Sequence, residues 1–252
     1  MRRLLPDPGD ATLEEQFATL DFTERAHEER PYTITNFAVT LDGRATIAGR
    51  SGAIGSDTDT AVLVGLRLTV DAVMIGGGTM RAEGYGPPVS DPRKRERRDA
   101  AGLAPNPLMI VVGSLDLPWE APLFTAGVGQ VLVLTHDDRE PPETATPVEV
   151  ERYEQRVDLV AAMRGLRAER GVRALLCEGG PHLHAQLIEA GLVDELFVTH
   201  APKLAGGEGP GLVAGLGERA RPLAVRWLLE EDGEVYGRYA VKPDQGRPAE
   251  LG

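Results

Sequence analysis

The sequence predicts an α/β fold built on a mainly parallel central sheet flanked by helices, with an antiparallel hairpin at its C-terminal end. Three observations carry that prediction. Short apolar runs alternate with segments of helical periodicity along most of the chain, the pattern of a parallel sheet covered on both faces. Glycine-rich turns follow several of these runs. The last two runs, 224–230 and 235–241, flank the turn signal Glu231-Asp232-Gly233-Glu234, which marks a hairpin.

Residues 1–30 carry Glu14, Glu15, Asp21, Glu24, Glu28 and Glu29, with scattered apolar positions at Leu13, Phe17 and Leu20. They read as an N-terminal extension holding a short surface helix, outside the catalytic core. The first strand is 32–39, rich in β-branched and aromatic residues and followed by Asp42-Gly43. Residues 57–70 read as a helix, with Asp57 near its start and Val62, Leu63, Leu66 and Val70 at helical spacing. Three short apolar runs, 72–75, 108–112 and 131–134, are of the kind that fills a sheet buried on both faces. Residues 157–169 are helical, with Val157, Val160, Ala161 and Leu166 turned inward. A buried strand at 173–177, a helix at 182–190 ended by Gly191, and a strand at 195–200 follow. No break in composition divides 31–243, which reads as one domain, and the tail 244–252 is expected to be disordered.

Composition narrows the function. With 42% hydrophobic and 26% charged residues the chain reads as soluble and globular, and no run approaches the roughly 20 apolar residues that span a bilayer. The first ten residues lack the apolar centre of a secretory signal, so a cytoplasmic protein is expected. A net charge of −12 argues against a surface that tracks nucleic-acid phosphates. The one basic run, Arg93-Lys94-Arg95-Glu96-Arg97-Arg98, follows proline-rich sequence and reads as an exposed loop. The single cysteine, Cys177, excludes internal disulfides and cysteine-rich zinc sites and reads as a small core residue. Of five histidines only His182 and His184 are close, and two residues apart on a helix they point to different sides, so no metal site is expected.

Chemistry concentrates in the turns. The segment Leu175-Leu176-Cys177-Glu178-Gly179-Gly180-Pro181-His182-Leu183 puts a carboxylate, two side-chain-free positions and a helix start in one strand-to-helix turn. Glycine lets backbone approach a ligand, and a helix start offers free N–H groups to an anion. Gly76-Gly77-Gly78-Thr79 and Ala205-Gly206-Gly207 are similar junctions, and in a parallel sheet such junctions gather along one edge. None is a P-loop, none matches G-x-G-x-x-G, and there is no G-x-S-x-G elbow. The pattern points to chemistry carried by a bound cofactor.

The ordered series Thr35-Asn36-Phe37-Ala38-Val39-Thr40-Leu41-Asp42-Gly43-Arg44, Arg67 before Asp71-Ala72-Val73-Met74-Ile75-Gly76-Gly77-Gly78-Thr79, Glu178-Gly179-Gly180, and Val193-Asp194-Glu195-Leu196 with Ala201-Pro202-Lys203-Leu204-Ala205-Gly206-Gly207 resembles the pyrimidine reductases of riboflavin biosynthesis. These are the RibD C-terminal, dihydrofolate-reductase-like family. The resemblance implies a dihydrofolate-reductase-like fold, NADPH as hydride donor, a homodimer, and a phosphorylated ribosylamino-pyrimidine whose ribosyl group is reduced to ribityl. It places Ala38, Gly76, Gly78, Thr79, Glu83, Ser114, Gly179, Gly180, Pro181, His182 and Leu183 along NADPH. It places Asn36, Ser51, Arg67, Tyr85 and Glu178 on the substrate, with Glu178 as the catalytic residue and Arg67 pairing with the phosphate. Taken alone, Ser114 reads as a turn residue and Arg67 as a helix-surface cation.

One stretch departs from the family pattern. Where many members carry paired aspartates followed by proline, this chain has Met80-Arg81-Ala82-Glu83-Gly84-Tyr85-Gly86-Pro87, so Glu83 stands for the first acid and Tyr85 brings an aromatic ring. Two alternatives stay open: a paralogue that reduces another heterocycle such as dihydrofolate, and a non-catalytic NADPH-binding protein.

Overall fold

The apolar runs become neighbouring strands of one sheet because each needs cover on two faces. In the computed structural model, which describes residues 1–242, the strands are β1 (Arg2–Leu5), β2 (Gly9–Asp10), β3 (Tyr32–Thr40), β4 (Ala72–Gly76), β5 (Leu108–Val112), β6 (Val131–Thr135), β7 (Val148–Arg152), β8 (Ala174–Gly179), β9 (Glu195–Ala201), β10 (Leu223–Glu231) and β11 (Glu234–Val241). The helices are α1 (Leu13–Ala18), α2 (Asp57–Arg67), α3 (Gly77–Glu83), α4 (Pro92–Ala100), α5 (Pro122–Thr125), α6 (Leu159–Ala168) and α7 (Pro181–Glu189). The tail predicted to be disordered lies outside the described residues.

The sheet order is β2-β1-β10-β11-β9-β3-β8-β4-β5-β6-β7. Neighbours from β9 to β7 are parallel, and those from β2 to β9 antiparallel. The predicted hairpin is β10–β11, turned at Asp232 and Gly233, both with positive φ. In β4, Val73 and Ile75 enter one core with Leu66 of α2 and Met80 of α3. Ala72 and Met74 enter a second core with Met163 of α6 and Leu187 of α7. Burial on both faces is why these strands read as unbroken apolar runs.

Four expectations are corrected. Asp158 caps α6 through the Val160 and Ala161 N–H groups, so the helix starts at Leu159 and its inward stripe is Leu159, Ala162, Met163 and Leu166. Val160 and Ala161 face solvent, and Val157 precedes the helix. The basic run is a helix, α4, rather than an exposed loop, started by Asp91 as cap and Pro92 in its first turn. Its Arg98 is fully buried and donates to the Ala104 carbonyl at 2.8 Å and to the Arg67 carbonyl at 2.5 Å, pinning the end of α2. The first thirty residues hold the expected short surface helix, α1, none of whose residues is buried, but they also join the sheet and core: β1 and β2 extend the antiparallel edge, and Phe22 packs against Tyr32 and Phe197. Finally, β7 alternates Val148 and Val150 with Glu149 and Glu151, a half-buried edge strand absent from the sequence reading.

Candidate active site

The C-terminal ends of β3, β8, β4, β5 and β6 open onto one cleft of about 1170 Å³. Two of the three glycine-rich junctions, Gly76–Thr79 and Gly179–Gly180, form its wall. The third is used structurally: the Asp42 carboxylate accepts from the Ala205 and Gly206 N–H groups at 3.1 and 2.8 Å. Those bonds, after that from the Thr40 hydroxyl, hold the Asp42 pKa down at about 2.

Glu178 owes its position to a break in register. Along β8 and β4, Cys177 pairs with Met74 but Gly179 pairs with Ile75, leaving Glu178 as the extra residue of a bulge. Its buried carboxylate is gripped by Arg67 from the last position of α2: Nε donates to Oε1 at 2.6 Å and Nη2 to Oε2 at 2.7 Å. Nη1 donates to the Pro88 carbonyl at 3.1 Å, and the guanidinium lies 5.8 Å from the Tyr85 ring centroid. Burial alone would lower the Arg67 pKa, but the facing carboxylate outweighs it and the pKa is raised. Arg67, which the resemblance assigned to the substrate phosphate, thus meets Glu178 and is not among the residues lining the cleft. The Tyr85 phenol is raised well above its ordinary pKa by burial, and then by Glu178.

The glycine turns approach each other backbone to backbone. A Cβ on Gly76 would lie 3.5 Å from the Gly180 nitrogen, and one on Gly180 only 2.8 Å from Thr79 Oγ1. Gly179 has φ +127°, a conformation that favours glycine. Side-chain caps close α1, α2, α4 and α6, whereas α3, α5 and α7 have none; at α7, which follows Gly180, this leaves first-turn N–H groups for a ligand. Behind this turn His184 packs on Phe37, with ring centroids 3.7 Å apart, and its Nε2 meets the Cys177 carbonyl at 3.2 Å. Burial lowers its pKa to about 3 and raises that of the Cys177 thiol to about 12, so both stay neutral.

Of the remaining residues assigned through the resemblance, Asn36, Ala38, Ser51, Gly78, Glu83, Tyr85, Pro181, His182 and Leu183 line the cleft. Ser114 is not among the lining residues; Gly113, before it, is. Ser51 and Glu83, assigned to different ligands, bind each other: the Ser51 N–H and hydroxyl both donate to Glu83 Oε1 at 2.9 Å. The sequence reading missed Asp59 and Leu63 of α2, His136 after β6 and Arg156 before α6. For Asp59 and Leu63 a signal existed, since with Arg67 they repeat every four residues along one helix face. Among the described residues no group of three or more His, Cys, Asp or Glu side chains could hold a metal, and no helix is long and apolar enough to cross a membrane.

Known proteins resemble this chain in sequence and fold. The family model of the RibD C-terminal domain matches residues 31–232. The 2,5-diamino-6-ribosylamino-4(3H)-pyrimidinone 5′-phosphate reductase of Archaeoglobus fulgidus is 33% identical over 183 residues, covering 71% of this chain and 83% of its own length. The reductase of that name from Methanothermobacter thermautotrophicus is 33% identical over 191 residues, covering 71% and 81%. A solved pyrimidine reductase-like protein from Corynebacterium diphtheriae superposes with a TM-score of 0.73 over 89% of this chain and 100% of that one, at 23% identity, which speaks for the fold. Motif order, sheet topology and sequence identity thus agree, and the chain belongs to the RibD C-terminal domain family.

Proposed function

We propose that the protein is an NADPH-dependent reductase of a phosphorylated ribosylamino-pyrimidine, converting its ribosyl group to ribityl. The observation that carries this reading is the Arg67-held Glu178 carboxylate, set in the cleft directly before the uncapped glycine turn. The names of the two archaeal reductases support the substrate class.

The residues fit NADPH. The Gly76–Thr79 and Gly179–Leu183 turns offer glycine backbone and helix N–H groups to a pyrophosphate, and Ala38 leaves room beside β3 for the reactive ring. When bound, the cofactor supplies a hydride. Glu178 uses one lone pair of each oxygen on Arg67, leaving others to accept from ribose hydroxyls, and its charge favours a cation developing at C1′. Asn36, whose buried Oδ1 has no partner within the protein, receives a further substrate hydroxyl. Arg67 fixes the Glu178 rotamer, and Tyr85 backs Arg67. Positioning C1′ against the reactive ring supplies most of the rate. A homodimer and a cytoplasmic setting belong to the same reading; sedimentation and cell fractionation test them.

The test is NADPH oxidation followed by absorbance with the ribosylamino-pyrimidine phosphate, in parallel with dihydrofolate. Turnover of the first alone is expected. Turnover of dihydrofolate alone would make the protein a reductase of another heterocycle, and NADPH binding without turnover of either would make it a binding protein.

A further inference from the structure

Asp59 is a cleft carboxylate that the mechanism above does not use. It lines the cleft from α2, four residues before Leu63 and eight before Arg67, on the same face of the helix. Its Oδ1 is buried without a hydrogen-bond partner, as is Oδ1 of Asn36 in the same cleft. A Cβ on Gly55 would overlap the Asp59 carboxylate, so the glycine is what admits it to that place.

Burial and a like charge outweigh the cation that acts on Asp59. Burial raises its pKa most and Glu234 of β11 adds to that, against the Thr199 hydroxyl of β9 and Lys203 beyond it. Lys203 is occupied with the Ala53 and Ile54 carbonyls at 3.1 and 2.6 Å, and Glu234 with Ser56 and Tyr236, both at 2.6 Å. Thr199 pairs with Ala38 across β3 and β9, whereas Glu178 lies on the other side of β3, on β8. Asp59, beside Thr199 of β9, and Glu178, on β8, therefore line the same cleft from opposite sides of β3.

We propose that Asp59 is the general acid that opens the ribose ring, an inference that rests on the ribosylamine reading of the site. The C1′–O4′ bond breaks, its electron pair goes to O4′, and O4′ takes the Asp59 proton to become the 4′-hydroxyl. The lone pair of the exocyclic nitrogen forms C1′=N, whose positive charge faces Glu178. Hydride addition at C1′ returns that pair to nitrogen. Water reprotonates Asp59, so each turnover consumes one proton and one hydride.

Asp59→Asn keeps the shape and removes the proton. Its kcat on the ribosylamine is expected to fall about 100-fold or more, with NADPH affinity within about twofold of wild type. An analogue lacking the 4′-hydroxyl, which cannot close the ring, is reduced equally by both proteins. Wild-type kcat falls as pH rises through the raised Asp59 pKa, and the variant lacks that limb. Independently of turnover, the variant melts higher than wild type at about pH 8, and the gain shrinks toward pH 5, because the folded protein no longer disfavours a charge that the unfolded chain carries freely. Unchanged kcat in the variant, equal loss of kcat and NADPH affinity, or a flat wild-type pH profile overturns the proposal; the last applies even if the variant fails to fold. Wild-type protein that binds NADPH but does not turn over the ribosylamine removes the reductase reading, and this proposal with it.

Discussion

Replacing Arg67 with Ala strands a carboxylate whose side chain is 2% exposed and whose two oxygens both face the lost cation, at 2.6 and 2.7 Å. Breaking a buried pair from one side costs about 3–5 kcal/mol, because the surviving charge keeps its desolvation without its partner. The Pro88 carbonyl also loses its donor at 3.1 Å, worth about 1 kcal/mol of that total. For a chain of this size each kcal/mol moves Tm by about 2–4 °C, so the variant is expected to melt about 6–20 °C lower. Urea unfolding of R67A, E178Q and the double variant closes a double-mutant cycle. With Glu178 neutral there is no stranded charge, so the double variant should be more stable than the summed single effects predict, by about 1–3 kcal/mol. R67K keeps the charge but loses the planar fork and should fall between wild type and R67A. Strict additivity, or an R67A cost below about 1 kcal/mol, would show that Arg67 does not hold Glu178. Turnover gives a second readout: R67A should lose rate on phosphorylated and dephosphorylated substrates alike, whereas loss confined to the phosphorylated one would restore Arg67 as a phosphate partner.

Three further outcomes follow from the same geometry. Gly180→Ala forces a Cβ to 2.8 Å from Thr79 Oγ1, an overpacking expected to cost about 1–3 kcal/mol and to raise the KM for NADPH; Thr79→Ala in the same chain should recover part of the stability, as urea unfolding would show. His184 titrates near 3 when folded and near 6.5 when unfolded, so the unfolded chain binds the extra proton between those values. Its contribution to stability is intact above about pH 6.5 and is lost at up to about 1.4 kcal/mol per pH unit as pH falls toward 3; H184Q should lack that slope. The Cys177 thiol, fully buried with its pKa raised to about 12, should resist a thiol reagent at about pH 8 until denaturant is added; labelling of the folded protein at the rate of a free thiol would contradict its burial.

What the sequence revealed depended on whether a signal was local. The runs at 72–75, 108–112 and 131–134 needed no partner to be recognised, since burial on both faces leaves an apolar stretch in the chain itself. Helix α6 was found but rotated, because its stripe depends on where Asp158 caps it. Arg98 shows the opposite failure: a basic run gives no hint that one of its cations is buried between the Ala104 and Arg67 carbonyls, a placement set by the packing of α4 on the end of α2.

By itself the sequence determined the α/β alternation, the C-terminal hairpin, and the residue types at the glycine turns, because periodicity and glycine requirements are properties of neighbouring residues. It also supplied the ordered motifs that mark the family. Only the tertiary structure decided what those residues face. Sheet order brings the ends of β3, β8 and β4 to one edge, a bulge singles out Glu178, and a helix ending at Arg67 turns a lone acid into a clamped pair. Asp59 and Glu178 lie 119 positions apart in the chain and share a cleft only because α2 and β8 pack together. Interactions at that separation leave no periodicity in one sequence.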